Sequence, residues 1–128
     1  MIGYATLGTN DIDRALAFYD GLFAAIGGKR LMQMPDERKL TFYSVARGQP
    51  MLAVGMPYDG GTATAGNGTM VALSADTREQ VDVIHAKAIE LGAGDEGAPG
   101  VRGPDAMGFY GAYFRDPDGN KFCAYKMG

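Results

Sequence analysis

Few residues of this chain could act as nucleophiles, metal ligands or proton-transfer groups. The sequence contains a single histidine, His85, and a single cysteine, Cys123. These counts exclude a disulfide within the chain, a zinc site made of cysteines alone, and metal sites with two or three histidines from one chain. His85 lies on the apolar stripe of a predicted helix, which favours a packing or surface role over a catalytic one. Cys123 is flanked by Phe122 and Ala124 in a predicted strand, which favours a buried, inert thiol.

The remaining polar motifs favour structural roles, with one exception. The run DPDGN at 116–120 has proline second and glycine fourth, which is typical of a tight turn that Asp116 can cap. Two segments, 55–68 and 92–108, are rich in glycine, but neither contains a phosphate-binding motif or opens a helix. Arg102, in the second of these segments, could bind a carboxylate or phosphate of a ligand; a solvated loop arginine is the alternative.

The composition is typical of a globular domain with one core. Hydrophobic residues make up 46% of the 128 residues and charged residues 21%, which is too apolar for a disordered chain. The formal net charge is −3 and no run is rich in lysine or arginine, so nucleic acid is not an expected partner. No apolar stretch approaches the roughly 20 residues that span a bilayer, and no signal peptide is recognisable. We therefore expect a cytoplasmic protein without a membrane partner.

The chain is organised as two similar halves. In the first half, a strand-like run precedes candidate helix caps at Asn10 and Asp11, and apolar residues then recur at helical spacing. In the second half, another strand-like run precedes Asp76, which would form a capping box with Glu79, and a second helical stripe follows. Glycines end both helical patterns. The same order of elements in both halves indicates a duplication.

Each predicted helix is followed by strands, which gives two βαβββ units. Placing one unit on the other brings Leu7 onto Leu73 and Phe18 onto Ile84, and both pairs are apolar. The later strands are predicted at 29–34, 39–46 and 51–56, and at about 94–97, 110–115 and 121–126. The glycine-rich segment in the middle would join a unit at 1–57 to a unit at 68–128. The prediction is a single domain of the α+β class, built by duplication.

Two of these motifs resemble the glyoxalase/bleomycin-resistance/extradiol-dioxygenase superfamily, also called the vicinal oxygen chelate superfamily. The opening TLGTNDIDRALAFYDGLF is similar to the first strand and helix of that family, and the closing YFRDPDGNKF is similar to its last hairpin. The resemblance covers essentially the whole chain. It implies two βαβββ units whose strands curve into an open cup, as a mixed β-sheet with helices on the outer face. The family contains lyases, isomerases, dioxygenases and proteins that only sequester a ligand, so the fold leaves the activity open.

The resemblance also indicates where the metal enzymes of this family carry their ligands. Matched position by position, those ligands fall at Tyr4, near Leu52, at Met70 and at Cys123. A phenol, an aliphatic chain, a thioether and a thiol do not supply the imidazole and carboxylate donors that hard divalent ions prefer. We therefore expect no family metal site and no cofactor, and purified protein should hold no stoichiometric transition metal.

Several elements that line the cup in the family carry tyrosines here. Alternation along the strands places Tyr4 with Thr6, and Cys123 with Tyr125, on the same side. A pocket of phenols, methionine and small residues suits an uncharged or aromatic organic ligand; rings that simply fill the cup are the alternative. The residues predicted to bind the ligand are Tyr4, Thr6, Leu52, Met70, Arg102, Tyr110, Tyr113, Cys123 and Tyr125.

Three functions are compatible with these features. The leading hypothesis is a homodimeric protein that binds a small organic molecule without metal, through the cup tyrosines rather than through His85. The second is a lyase- or dioxygenase-type enzyme that uses a displaced metal, or metal-free acid–base chemistry at Tyr4, Cys123 or His85. The third is an accessory module whose cup is filled and whose surface binds a protein partner. Pairing of the two units within one chain and pairing between chains both remain open at this point.

Overall fold

The computed structural model describes every residue from Met1 to Gly128, and it contains two βαβββ units in sequence. The first unit comprises β1 (Tyr4–Gly8), α1 (Ile12–Ala24), β2 (Lys29–Gln33), β3 (Thr41–Ser44) and β4 (Met51–Gly55). The second comprises β5 (Val71–Ser74), α2 (Arg78–Glu90), β6 (Gly94–Val101), β7 (Phe109–Arg115) and β8 (Lys121–Met127), with a short 3-10 helix at Asp105–Met107. The predicted duplication and the α+β class are confirmed. Neither helix has the length and apolar character needed to cross a bilayer.

Each unit forms its own four-stranded mixed sheet, and the two sheets share one topology. The strand order is β1-β4-β3-β2 in the first sheet and β5-β8-β7-β6 in the second. In both sheets the first strand of the unit pairs in parallel with the last, and the other neighbours are antiparallel. No strand pairing connects β1 with β5. The strands predicted to line a cup therefore belong to two separate sheets in a single chain.

A single hydrophobic core joins the two units. Each helix packs on its own sheet, and α1 and α2 also contact each other. Tyr19 of α1 is fully buried, and its ring lies 6.0 Å from the ring of Tyr43 in the first sheet and 6.0 Å from that of Phe122 in the second. Burying such large rings supplies most of the driving force for folding. The helix side of each sheet is thus buried in the core, which leaves the opposite sides for binding a ligand.

Helix α2 begins at a different cap from the one predicted. Asp11 caps α1 as expected, because its side chain accepts a hydrogen bond from the backbone N–H of Arg14. In α2 the cap is Thr77, whose hydroxyl accepts from the backbone N–H of Gln80 at 3.0 Å. The Gln80 side chain in turn accepts from the backbone N–H of Asp76 at 2.8 Å. Thr77 and Gln80 thus satisfy two backbone N–H groups at the start of the helix, as in a capping box, although Gln80 accepts from the residue before the cap rather than from Thr77 itself.

Strand β6 extends further into the glycine-rich segment than predicted. It lies at the edge of the second sheet, and its register against β7 shifts between Asp95 and Gly97 and again between Gly97 and Gly100. Edge strands tolerate bulges, glycine and proline because one side of the strand needs no partner. The same composition that indicated a loop therefore forms an irregular edge strand.

Lys39, in the turn between β2 and β3, is the one non-glycine residue with a positive φ, at 48°. This conformation costs about 1 kcal/mol or more for a residue with a Cβ atom. Lys39→Gly is expected to raise the free energy of unfolding by about 0.5 kcal/mol, after subtraction of the extra freedom of glycine in the unfolded chain. Lys87→Gly, inside α2, should instead lower it by about 1 kcal/mol. Urea denaturation of both variants measures the two changes, and a loss of stability in Lys39→Gly would contradict this account.

Candidate functional site

The side of the first sheet that α1 leaves uncovered carries apolar and aromatic residues. Alternate residues of each strand point away from the helix, so Leu7 and Val54 enter the core while Tyr4 is 53% exposed. The Tyr4 ring packs edge-on against Phe42, with the ring centroids 5.2 Å apart. We call this surface the first open face. Its residues are Tyr4, Thr6, Met32, Phe42, Met51 and Ala53.

The uncovered side of the second sheet has a similar character. Along β8, Phe122 and Ala124 enter the core, so Cys123 and Tyr125 point to the other side, as the alternation predicted. The ring of Tyr125 is stacked on that of Phe109 at a centroid distance of 5.5 Å. We call this surface the second open face. Its residues are Ala72, Ser74, Phe109, Gly111, Tyr113, Arg115, Lys121, Cys123, Tyr125 and Met127.

Two cationic groups lie close to the ring of Tyr113 on the second open face. The guanidinium carbon of Arg102 and the ammonium of Lys121 each lie 5.7 Å from the ring centroid, within the range of cation–π attraction. One terminal nitrogen of Arg102 donates a hydrogen bond to the carbonyl of Ala98 at 2.6 Å, which fixes the guanidinium in place. Sequence reasoning selected Arg102 but missed Lys121. The alternation that placed Cys123 on this side would also have found Lys121, two residues earlier.

Cys123 lies beneath these groups and is 1% exposed, so the predicted burial is confirmed. Burial raises the pKa of its thiol, because the thiolate would lose its hydration. The neighbouring Tyr113 phenol and the charges of Arg102 and Lys121 act in the opposite direction on this pKa but do not reverse it. The thiol is therefore protonated at neutral pH and a poor nucleophile in the folded chain.

Alkylation of Cys123 should be slow in the native protein. At pH 8 we expect iodoacetamide to react at least about 10-fold more slowly than with the unfolded chain, since the native thiol is both buried and protonated. The pH at which the native rate reaches half its maximum should lie above that of a free cysteine, about 8.5. Mass spectrometry over time, with the same chain in guanidinium chloride as control, measures both quantities. Equal rates in the two states would refute the protonated, buried thiol.

Most of the other predicted binding residues lie on or beside the two open faces. Thr6 accompanies Tyr4 on the first, and Tyr113 accompanies Cys123 and Tyr125 on the second. Met70 immediately precedes β5 and is 44% exposed. The structure therefore divides the predicted residues between two surfaces.

Two predicted binding residues lie on the helix side instead. Leu52 is 4% exposed and belongs to the hydrophobic core, because β4 is apolar on both sides and its alternation gives no direction. Tyr110 donates a hydrogen bond to the carboxylate of Asp82 in α2 at 2.6 Å, and Arg78 lies over its ring. In the register of the hairpin Tyr110 is opposite Lys126, one position away from the residues that face outwards. Neither Leu52 nor Tyr110 lines an open face.

A single chain does not enclose the predicted cup. Two surface cavities, of about 300 and 460 Å³, lie on the first unit. The smaller lies between the ends of β1 and β4 and the linker at 57–64, and the larger lies between the residues at 29–31 and at 45–47. Among the predicted binding residues, only Thr6 lines either cavity. The two open faces thus remain open surfaces in one chain.

The carboxylates of the DPDGN turn are structural, as predicted. One oxygen of Asp116 accepts hydrogen bonds from the backbone N–H groups of Asp118 and Asn120, at 3.0 and 2.8 Å. The other accepts from the Asn120 side chain at 2.9 Å and from the hydroxyl of Tyr19. Burial, followed by the charge of Asp116, raises the pKa of Tyr19 well above its usual value. Asp116 therefore caps its own turn and also binds α1 of the other unit.

Asp118 makes a second connection between the units. Its carboxylate accepts hydrogen bonds from the Thr9 hydroxyl at 2.6 Å and from the backbone N–H of Asn10 at 3.0 Å. It also pairs with the guanidinium of Arg14 at 3.1 Å. All three donors lie at the beginning of α1, where a negative charge is favourable. The turn thus fixes the second sheet to the first helix.

His85 lies on the helix side of the second sheet, away from both open faces. It is 8% exposed, and its Nε2 atom lies 3.1 Å from a carboxylate oxygen of Asp95 in β6. A hydrogen bond from the backbone N–H of Gly97, and then the one with His85, lower the pKa of Asp95. The geometry agrees with the predicted packing role and gives His85 no access to a ligand on an open face.

The residues present do not fit the metal site of the related metal enzymes. Of the four matching positions, Leu52 lies in the core and Cys123 holds a protonated thiol. The other two, Tyr4 and Met70, supply a phenol and a thioether, which bind hard divalent ions poorly. No group of three histidine, cysteine, aspartate or glutamate side chains is placed to hold a metal ion. We derive no metal-dependent step for this chain.

Comparison with known proteins supports the family resemblance. A glyoxalase/bleomycin resistance protein from Albidiferax ferrireducens T118 is 33% identical over 98% of both chains, with a TM-score of 0.84. A hypothetical protein from S. aureus is 26% identical over 98% of this chain and 92% of that chain, with a TM-score of 0.73. A lactoylglutathione lyase from Agrobacterium tumefaciens is 25% identical over 98% of this chain and 92% of that chain, with a TM-score of 0.67.

Curated proteins provide no match to this chain. The model of the Glyoxalase/Bleomycin resistance protein/Dioxygenase superfamily matches residues 1–124, almost the entire sequence. The match includes the first βαβββ unit and the second as far as Ala124, so Tyr125 and Met127 of the second open face lie just beyond it. The chain therefore belongs to the glyoxalase/bleomycin resistance protein/dioxygenase superfamily.

Proposed function

We propose that this protein binds a small organic molecule between the first open face of one copy and the second open face of another, without the family metal. The observation that carries this proposal is the exposure of aromatic and methionine side chains on both faces, including Tyr4 at 53% on the first and Met127 at 48% on the second. Contiguous exposed apolar surface of this kind marks binding sites. The phenols and the thioethers offer ring contacts together with a few hydrogen-bonding groups, which suits an aromatic ligand.

A two-fold dimer accounts for both faces at once. Each chain carries one first face and one second face, so two copies related by a two-fold axis form two identical cups and leave no face unpaired. The edges of the sheets support this arrangement, because β1 pairs only with β4 and β5 pairs only with β8. Each strand therefore has one free edge that a partner chain could cover. Within one chain, the contacts of Asp116 and Asp118 with the residues at α1 hold the two units in one arrangement.

The assembly is tested by its mass in solution. Light scattering after size exclusion should give twice the 13.5 kDa of one chain at micromolar concentration. A monomer over the whole concentration range would refute the shared cup.

Binding is tested by a thermal-shift screen of small aromatic compounds, carried out with and without a metal chelator. We expect some compounds to raise the melting temperature, because a ligand of the folded state stabilises it by mass action. The shift should be the same in both conditions. Binding that requires added nickel, zinc or manganese would contradict the metal-free proposal. A complete absence of ligands, together with an intact dimer, would favour a filled interface over a cup.

A further inference from the structure

We infer that the ligand is an aromatic organic anion, whose negative group is recognised by Arg102 and Lys121 beside Tyr113. This inference rests on the proposed function and specifies its ligand class. It depends on three observations: the position of the two cations, the absence of a counter-ion for them, and the charge distribution of the faces.

The positions of the Arg102 and Lys121 side chains follow from the structure of the second open face. Both cationic groups lie 5.7 Å from the centroid of one ring, so a ligand that contacts Tyr113 lies within reach of both charges. The two terminal nitrogens of Arg102 donate to the carbonyls of Ala98 at 2.6 Å and of Val101 at 3.5 Å, and the guanidinium keeps further N–H donors for a ligand. Lys121 belongs to a strand, and the alternation of β8 directs its side chain to the same side as Tyr113. The guanidinium is thus preorganised, and the ammonium lies on the same face.

Neither cation has a carboxylate partner in the structure. The ion pairs of the chain involve Arg14, Arg30, His85, Lys87 and Arg115, and neither Arg102 nor Lys121 is among them. Two positive charges beside one ring repel each other, and an anion between them would relieve that repulsion. Among the basic side chains at the second open face, Arg115 is paired with an acid, Glu96, whereas Arg102 and Lys121 are not.

The strand residues of the two faces include no unpaired carboxylate. On the first open face the residue that adds a charge is Lys29, which lies opposite Ser44 on the same side as Phe42 and is positive. On the second, the remaining charged group is Arg115, whose guanidinium is paired with Glu96. The chain as a whole has a net charge of −3, yet the proposed cup concentrates positive charge. A local field opposite in sign to that of the whole chain favours an anionic ligand over a neutral or cationic one.

Three probes of one shape test the inference: naphthalene-2-carboxylate, naphthalene-2-carboxamide and naphthalen-2-ylmethylammonium. We expect the carboxylate to bind at least 10-fold more tightly than the amide, and the ammonium compound to bind more weakly than the amide. Titrations followed by protein NMR give both the affinities and the residues that are perturbed. Raising the salt concentration should weaken the carboxylate more than the amide, because the contribution of the charges is screened.

Matched variants assign the effect to the two cations. Lys121→Gln and Arg102→Gln should each lower the affinity for the carboxylate about 10-fold and leave that for the amide within twofold. Lys126→Gln is the control, because it removes the same charge from the same strand on the opposite side of the sheet, and it should change neither affinity. The far-ultraviolet circular dichroism of each variant verifies that it is folded.

The outcomes separate this inference from the proposed function. Equal binding of carboxylate and amide, or preference for the ammonium compound, would overturn the anionic ligand while leaving small-molecule binding in place. Loss of carboxylate affinity in Lys126→Gln alone would overturn the assignment to Arg102 and Lys121. Failure of all three probes to perturb either open face would overturn the inference, whereas the proposed function depends on the wider screen.

Discussion

Replacement of Asp116 by alanine is expected to lower the free energy of unfolding by about 3–4 kcal/mol. The carboxylate accepts hydrogen bonds from two backbone N–H groups, from the Asn120 side chain and from the Tyr19 hydroxyl. Its removal leaves buried donors without acceptors, and each unsatisfied donor costs about 1–3 kcal/mol. Guanidinium chloride denaturation measures the change.

Two further variants identify the source of this effect. Asp105→Ala removes an exposed carboxylate without side-chain contacts and should change stability by less than about 0.5 kcal/mol. Tyr19→Phe removes one donor from the same network. The stability loss of the double variant should therefore be smaller than the sum of the losses of the two single variants. Full additivity would show that the contact between the units contributes little. A small loss in Asp116→Ala would show that the turn needs no cap.

Tyr4→Ala is expected to weaken binding of the best ligand from the screen by about 1–3 kcal/mol, or roughly 5- to 150-fold. The variant removes an exposed ring from the first open face and leaves Phe42 without its edge-on partner. Calorimetric titration provides the affinity. The measurement also depends on the dimer, since in the proposed cup Tyr4 of one copy faces the second open face of the other.

Tyrosine and histidine variants on the helix side serve as controls for this prediction. Tyr110→Ala removes the same side chain from a position that contacts α2, and His85→Ala removes the sole imidazole. Both variants should bind with affinities within about 0.5 kcal/mol of the unmodified protein. Loss of binding in His85→Ala, with Tyr4→Ala unaffected, would place the site on the wrong side of the sheets for this proposal.

The orientation of β8 could be predicted because the family resemblance indicated which side lines the cup and strand alternation then assigned the neighbouring residues. In β8, Phe122 and Ala124 were correctly separated from Cys123 and Tyr125, because a half-buried strand repeats every two residues. In β4 the sequence MLAVG is apolar throughout, so the direction of Leu52 could not be inferred from the pattern. Fully buried strands lose this signal in general, since both of their sides are covered.

The remaining differences between the predicted and the observed side-chain roles arise from interactions between residues that are distant in the sequence. Tyr110 was placed on the ligand side because its strand lines the cup in the family, and its hydrogen bond to Asp82 becomes visible only when α2 lies beside β7. The roles of Asp116 and Asp118 as links between the units depend on contacts with Tyr19 and Arg14, far away in the sequence. Local sequence patterns predict the turn, but they contain no information on which distant residues the turn contacts.

The links made by the DPDGN turn have a consequence for how a ligand enters and leaves. Because Asp116 and Asp118 fix the second sheet to α1, the two halves of one chain form a rigid body, and a hinge between them would have to break buried hydrogen bonds. In the proposed dimer, each cup is bounded by two different rigid bodies. Access to the cup is then controlled by relative sliding of the two subunits, so the residence time of a ligand should be governed by quaternary motion and by the strength of the subunit contact.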